Sequence, residues 1–232
     1  MNKLSVALLA GLVSLLTPLF LLGLALRIML APWFLHVEYR MPYFPADEYG
    51  FTTADRLHWA PFALDYLINN ADVSYLADLK FEDGTPLYNS RELSHMQDVQ
   101  RVTQAALKTW LAGTALLVLL GLWAWKAGWM PAYLGGLRRG GWLMLTLTAA
   151  IAVFAITGFW QFFTLFHALF FQGDSWLFDY SDTLIRLFPI RFWQDVFICV
   201  GVLVIGGALA LVLGLRGRHT APPSAESGGI RA

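Results

Sequence analysis

The sequence predicts an all-α membrane protein: a bundle of four transmembrane helices with a long first external loop and an interfacial second external loop. Two observations support this fold class. Hydrophobic residues make up 57% of the chain and charged residues only 14%, a composition typical of membrane proteins. Four apolar runs are also long enough to cross a hydrocarbon core, which needs roughly 20 helical residues. We therefore expect a single membrane domain over residues 1–215.

The four apolar runs predict the transmembrane segments in order. They cover residues 4–26, 102–125, 141–167 and 196–215. Helices are expected because a segment in lipid must satisfy its own backbone hydrogen bonds, and these runs lack the alternating pattern of barrel strands. The first run is too long for a secretory signal and no small-residue cleavage site follows it, so we expect a retained anchor.

Basic residues predict the orientation of the chain in the membrane. They flank the same ends of the runs: Lys3, Lys126, Arg138, Arg139, Arg216, Arg218 and Arg231. Because cytoplasmic segments are enriched in Lys and Arg, both termini are expected in the cytoplasm. The external loops, residues 36–101 and 168–195, then hold every acidic residue except Glu226.

The C-terminal tail and the single cysteine have no predicted function. Residues 216–232, RGRHTAPPSAESGGIRA, are small, polar and proline-containing, which predicts a disordered cytoplasmic tail. Cys199 lies within the fourth run, so neither an internal disulfide nor a thiolate metal site is expected.

The first external loop contains signals for local structure. The segment TADRLHWAPFALDYLINN predicts a short helix on the membrane surface, interrupted at Pro61. Asp83-Gly84 predicts the turn of a small β hairpin. Asn89 followed three residues later by Glu92 resembles a capping box, so we expect one helix to start outside and continue into the second span.

One histidine is predicted at the outer start of that second helix. His95 lies between Glu92 and Asp98, each three residues away, and the three side chains share roughly one helix face. A second histidine, His167, ends the third run on a polar stripe with Thr164. Ionisable groups in a membrane usually face a bundle interior or a wet cavity and suggest a functional site. Alternatively, His167 only hydrogen-bonds a neighbouring helix.

Several types of chemistry lack their motifs. The chain has no Gly-rich phosphate loop, Gly-x-Ser-x-Gly motif, His-Glu-x-x-His motif or cysteine pair. Its balanced charge gives no indication of nucleic-acid binding. Imidazole, with a pKa near 6.5, suits general acid–base catalysis. We expect no cofactor and no metal. The alternatives are a metal or haem site using His95 and His167, with Glu92 and Asp98 as further metal ligands, or a non-catalytic lipid-binding protein.

Four segments carry a family resemblance. They are ADRLHWAPFALDYL (residues 54–67), LYNSRELSHMQDV (87–99), FHALFF (166–171) and DSWLFDYSDTLIRLFPIRFWQD (174–195). Together they resemble the lipoprotein intramolecular transacylase (Lit) family over roughly residues 51–200. The resemblance implies a bacterial cytoplasmic-membrane enzyme whose substrates are diacylglyceryl-modified lipoproteins in the outer leaflet. It also implies transfer of the sn-2 acyl chain to the α-amino group of the modified cysteine.

The resemblance places the two catalytic histidines on His95 and His167. We expect His95 to act as base, oriented by Asp98 or Glu92, and His167 to act as proton donor; the reverse assignment stays open. Thr164 is expected to support this site. In the second external loop we expect Trp176 and Arg186 to contact substrate, although the arginine could pair with an aspartate instead of a lipid phosphate.

Overall fold

The computed structural model describes residues 1–171 and 173–215, and these residues form nine helices. The helices are α1 (Lys3–Met29), α2 (Pro32–Glu38), α3 (Thr53–Ile68), α4 (Ser74–Ala77), α5 (Ser90–Ala127), α6 (Met130–Thr157), α7 (Phe159–Phe170), α8 (Thr183–Leu187) and α9 (Ile190–Gly214). Of these, α1, α5, α6 and α9 are long and apolar enough to cross a membrane. The all-α fold with four membrane helices is therefore confirmed. The predicted tail, residues 216–232, lies outside the described residues.

Helix α1 is central in the bundle because it packs against α5, α6 and α9. Glycines allow its close approach to α6. A Cβ on Gly136 would lie 2.7 Å from the carbonyl oxygen of Ala10, and a Cβ on Gly140 would lie 2.8 Å from that of Ser14. Side chains at these two positions would force the helices apart, so the glycines set the spacing of α1 and α6.

Helix α5 starts where the sequence predicts. The Asn89 side chain accepts a hydrogen bond from the Glu92 N–H at 3.0 Å, and the Glu92 carboxylate accepts one from the Asn89 N–H at 2.7 Å. This reciprocal pair is a capping box. The helix then continues without a break to Ala127, so His95 and the second membrane span share one rigid element.

The structure corrects the predicted third span, residues 141–167. Helix α6 begins earlier, at Met130, so Arg138 and Arg139 lie within it and not in a loop. It ends at Thr157, and the extended backbone of Gly158 (φ −166°, ψ 78°) separates it from α7. A glycine is common inside membrane helices, so Gly158 gave no sequence signal for this break.

The two segments predicted to be external loops, which keep that name below, form a packed cap at one end of the bundle. Residues of α3, α4, α5 and α8 share one buried core, which consists of Ala63, Tyr66, Leu76, Leu87, Tyr88, Met96, Leu184 and Leu187. Helix α3 passes through Pro61 without ending, contrary to the predicted interruption. The predicted hairpin is reduced to a turn at Gly84, closed by a single antiparallel bridge between Lys80 and Pro86.

Candidate active site

The two histidines selected from the sequence lie side by side. The ring centroids of His95 and His167 are 6.2 Å apart, and the ring planes are inclined by 23°. His95 comes from the second turn of α5 and His167 from the last turn of α7. Both are buried, with 6% and 8% of their surface exposed. The fold therefore brings two imidazoles from separate helices into one shielded place.

Aromatic side chains surround both rings. His95 packs against Phe171 at 5.0 Å and Phe178 at 5.4 Å between ring centroids. His167 packs against Phe163 at 4.1 Å and Trp176 at 4.5 Å. Most of these rings belong to α7 and the second external loop. Such a lining limits the access of bulk water to the histidines.

A backbone hydrogen bond defines the protonation of His167. Its Nδ1 lies 2.8 Å from the carbonyl oxygen of Phe163. A carbonyl oxygen only accepts hydrogen bonds, so Nδ1 carries the proton and donates it. In the neutral ring the lone pair is then on Nε2. His167 is thus held in the form that can accept a proton at Nε2.

His95 lacks the carboxylate partner expected from the sequence. Its Nδ1 is buried and has no hydrogen-bond partner among the described residues. The Glu92 carboxylate instead accepts the N–H groups of Asn89 and Leu184, the latter at 2.6 Å, and Asp98 pairs with Arg101 at 3.1 Å. Neither acid orients the imidazole directly. Within the described residues, the buried Nδ1 of His95 is therefore left without a partner.

Glu92 has a different role, which is to join the two external loops. Its side chain is buried, and it connects the first turn of α5 to the first turn of α8 through Leu184. Asn89 adds a hydrogen bond to Asp182 at 2.9 Å. Because His95 lies one turn after Glu92 on a continuous helix, this connection positions the imidazole relative to the second loop.

Arg186 pairs with an acid of the first external loop. Its guanidinium lies 3.0 Å from the Asp47 carboxylate and 3.7 Å from the centroid of the Phe51 ring. Burial alone would raise the pKa of Asp47, but hydrogen bonds from Arg186 and the Phe51 N–H hold that pKa below its usual value. Nε and Nη2 of Arg186 thus donate within the protein, to Asp47 and to the Tyr49 carbonyl oxygen.

Two further residues that hold α8 were missed by the sequence analysis. Arg56 is buried and donates from Nε to the carbonyl oxygen of Arg186 at 3.0 Å. The Tyr39 hydroxyl donates to the carbonyl oxygen of Leu187 at 2.9 Å. Both bonds join residues more than a hundred positions apart, so no local spacing could predict them. An arginine within an amphipathic helix is common, so Arg56 gave no specific signal either.

The structure also places Thr164 and the candidate metal ligands. Thr164 lies one turn before His167 and is half-buried. The predicted polar stripe also includes Thr157 and Gln161, but the break at Gly158 separates Thr157 from Thr164, and the side chain of Gln161 is exposed. The stripe is therefore not continuous. Within the described ranges, no group of three or more His, Cys, Asp or Glu side chains could hold a metal ion.

Known proteins share the sequence pattern over most of the chain. Residues 11–193 match the family model described as lipoprotein intramolecular transacylase Lit. The chain is also 29% identical over 209 residues to an uncharacterised protein of Aquifex aeolicus (strain VF5), an alignment that covers 87% of this chain and 90% of the relative.

Solved structures share the fold. The membrane-integral Lit of Bacillus cereus aligns with a TM-score of 0.65 at 20% identity, covering 93% of this chain and 96% of that one. A variant of that enzyme with one histidine replaced by alanine aligns with a TM-score of 0.69, covering 91% and 92% of the two chains. Since the family model spans most of the sequence and the fold agrees, this membrane-integral enzyme belongs to the lipoprotein intramolecular transacylase (Lit) family.

Proposed function

We propose that the protein moves the sn-2 acyl chain of a diacylglyceryl-cysteine lipoprotein to the α-amino group of the same cysteine, with His95 and His167 as proton-transfer groups. The observation that carries this proposal is the buried pair of imidazoles, 6.2 Å apart, inside an aromatic lining. The products are an N-acylated lipoprotein and a free sn-2 hydroxyl on its glyceryl group.

The reaction needs no nucleophile from the enzyme. The amine nitrogen attacks the ester carbonyl, a C–N bond forms, and the bond from the carbonyl carbon to the glyceryl oxygen breaks. Because amine and ester belong to one substrate molecule, correct folding of the lipid head makes the attack intramolecular. The remaining task is to remove a proton from nitrogen and to supply one to the leaving oxygen.

We assign the base to His167 and the donor to His95, the reverse of the first expectation from the sequence. The hydrogen bond from Nδ1 to Phe163 leaves Nε2 of His167 free to accept the amine proton. His95 has no hydrogen bond at Nδ1 from the described protein, so it can turn a ring N–H toward the oxyanion or the leaving oxygen. His167 gains one proton and His95 loses one, so transfer of a proton from His167 to His95 restores the starting state.

The surroundings of the histidines favour acyl transfer over hydrolysis. Phe163, Phe171 and Trp176 line the pair and keep bulk water from the ester. Trp176 is half-buried against His167, a position from which it can contact an acyl chain or the glyceryl group. Arg186, bound to Asp47, would act on the substrate indirectly by holding the loops together.

Basic residues support the proposed orientation, with both termini in the cytoplasm and the histidines at the outer leaflet. Lys3 starts α1, Lys126 lies in the last turn of α5, and Arg139 lies in the first half of α6. These residues lie at the end of the bundle opposite the external cap. Among the described residues no acid accompanies the basic residues at that end, which favours a cytoplasmic location for it.

Labelled lipopeptides test the reaction. The purified protein is incubated with a synthetic diacylglyceryl lipopeptide that carries a deuterated sn-2 chain, together with a peptide of different sequence that carries no deuterium. Since intramolecular transfer leaves the intact mass unchanged, fragment spectra must locate the chain. We expect deuterium on the amine of the same peptide only. Label on the second peptide, or transfer of the sn-1 chain, would refute the proposed reaction.

Histidine variants test the site. We expect His95→Ala and His167→Ala each to lower the transfer rate by about 10²-fold or more while the proteins remain folded. His58→Ala is the matched control because His58 is exposed and lies on α3, outside the pair. Wild-type transfer rates in either of the first two variants would show that the chemistry occurs elsewhere.

A further inference from the structure

A groove at the end of the bundle that carries the N-terminus plays no part in the proposed reaction. It lies between α1 and α6, has a volume of about 440 Å³, and is lined by Lys3, Val6, Ala7, Ala10, Gly11, Ala132 and Arg139. Its wall consists of small aliphatic side chains and a glycine. The two charged residues that line it are both basic.

Arg139 extends along α6 toward the same end as Lys3. Its Nη1 lies 3.6 Å from the point where a Cβ on Gly135 would be, and Nε lies 3.4 Å from the Ser14 hydroxyl. Gly135 is one turn closer to the start of α6. The guanidinium therefore lies beside Gly135 and reaches back toward the membrane surface, as long basic side chains do.

Helix length places the groove at the level of lipid head groups. Helix α1 has 27 residues and α6 has 28. At 1.5 Å per residue each is about 40 Å long, whereas the hydrocarbon core is about 30 Å thick. The excess lies at the end with Lys3 and Arg139, since charged heads stay outside the hydrocarbon. Exposed Trp125, in the last turn of α5, is typical of the interface.

The described protein supplies no counter-charge here. Its acidic residues all lie in the external segments and the start of α9, between positions 38 and 98 or 174 and 195. The salt bridges in the described ranges involve Arg101, Arg186 and Arg191, none of them at this end. Among residues 1–171 and 173–215, no acidic side chain pairs with Lys3 or Arg139, and a bound anion would neutralise them.

We propose that this groove binds a phospholipid with an anionic head group. The lipid phosphate lies between the Lys3 ammonium and the Arg139 guanidinium, and one acyl chain follows the aliphatic wall formed by Val6, Ala7 and Ala10. Charge-assisted hydrogen bonds from both basic groups select the anionic lipid. The site is independent of the acyl transfer proposed above.

Native mass spectrometry of the full-length protein in detergent tests this site. The protein is titrated with phosphatidylglycerol or phosphatidylcholine of identical acyl chains. We expect the wild type to bind phosphatidylglycerol about tenfold more tightly than phosphatidylcholine. Arg139→Gln and Lys3→Gln should each weaken phosphatidylglycerol binding about tenfold, as expected for loss of one charged hydrogen-bond partner. Lys126→Gln, an equal charge change in the last turn of α5, should leave the affinity within twofold.

Three results would overturn the lipid site. The first is equal affinity of the wild type for the two lipids. The second is an equal loss of phosphatidylglycerol affinity in Lys126→Gln, which would indicate diffuse electrostatic attraction. The third is displacement of the lipid by millimolar inorganic phosphate, which would indicate a site for a free ion. Ala7→Phe provides a second approach because it fills the groove without changing charge. It should weaken phosphatidylglycerol binding while circular dichroism shows the wild-type helix content, and unchanged binding in this variant would also contradict the proposal.

Discussion

The two ends of the bundle are held together by different interactions. At the N-terminal end, α1 and α6 approach closely because Gly136 and Gly140 have no side chains. At the other end, side chains of the first loop and α5 hydrogen-bond to α8, among them Glu92 and Arg56. The comparison indicates that packing of small residues secures the membrane helices, whereas long-range polar bonds position the histidines. Variants at each end should therefore affect different properties.

The largest expected effect is on the reaction itself. His167→Gln removes the proposed base, so the transfer rate should fall about 10²- to 10⁴-fold with little change in thermal stability. His95→Gln keeps a donor N–H and should retain about ten times the rate of His95→Ala. Single-turnover assays by mass spectrometry measure both. Equal rates for the Gln and Ala variants of His95, with an active His167→Gln, would reverse the assigned roles.

A bulky residue at the glycine contact should reduce stability. Gly140→Leu places a side chain against the α1 backbone and should cost about 3 kcal/mol, because overpacking a tight contact strains both helices. Gly206→Leu in α9 is the control, since no atom lies within 4 Å of the place its Cβ would occupy. Thermal unfolding in detergent compares the two. Similar melting temperatures would show that the α1–α6 contact is loose.

Removal of the Glu92 charge should affect both stability and catalysis. In Glu92→Gln the amide N–H₂ faces one of the two backbone N–H donors, so one hydrogen bond is lost. The free energy of unfolding should fall by about 1 to 3 kcal/mol. Because His95 would shift with the helix start, the transfer rate should fall as well. The control is Asp98→Asn. The salt bridge between Asp98 and Arg101 is partly exposed and contributes less than about 1 kcal/mol to stability, so this variant should change neither stability nor the transfer rate. A wild-type transfer rate in Glu92→Gln would show that Glu92 does not position His95.

The smallest expected effect is the acid sensitivity of the Asp47–Arg186 pair. Arg186 holds the pKa of Asp47 below its value in the unfolded chain, about 3.9. The stability from this pair is therefore present above about pH 3.9 and is lost as the pH falls toward the lower folded value. Asp47→Asn should weaken the pH dependence of the unfolding free energy below about pH 3.9. The pH dependence near neutral pH should stay as in the wild type. An unaltered acid profile would mean that the pair adds nothing.

The membrane fold was predictable because lipid imposes strict local rules. A helix must be apolar over its whole span, and its start needs a local cap, so four spans and the Asn89–Glu92 cap could be identified without coordinates. The histidines were also identified, because ionisable groups are rare at such positions. Errors occurred where a local signal was ambiguous, as at Pro61, which α3 accommodates, and at Gly158, where the third span breaks.

The chemistry of the histidine pair depended on tertiary structure. The sequence by itself determined that His95 and His167 reach the same end of the bundle, since each lies at the end of an apolar run. Only the folded chain decided that Glu92 bonds to Leu184 and not to His95, and that Phe163 sets the protonated nitrogen of His167. Hydrogen bonds act over about 3 Å between groups far apart in sequence, so residue spacing does not encode them.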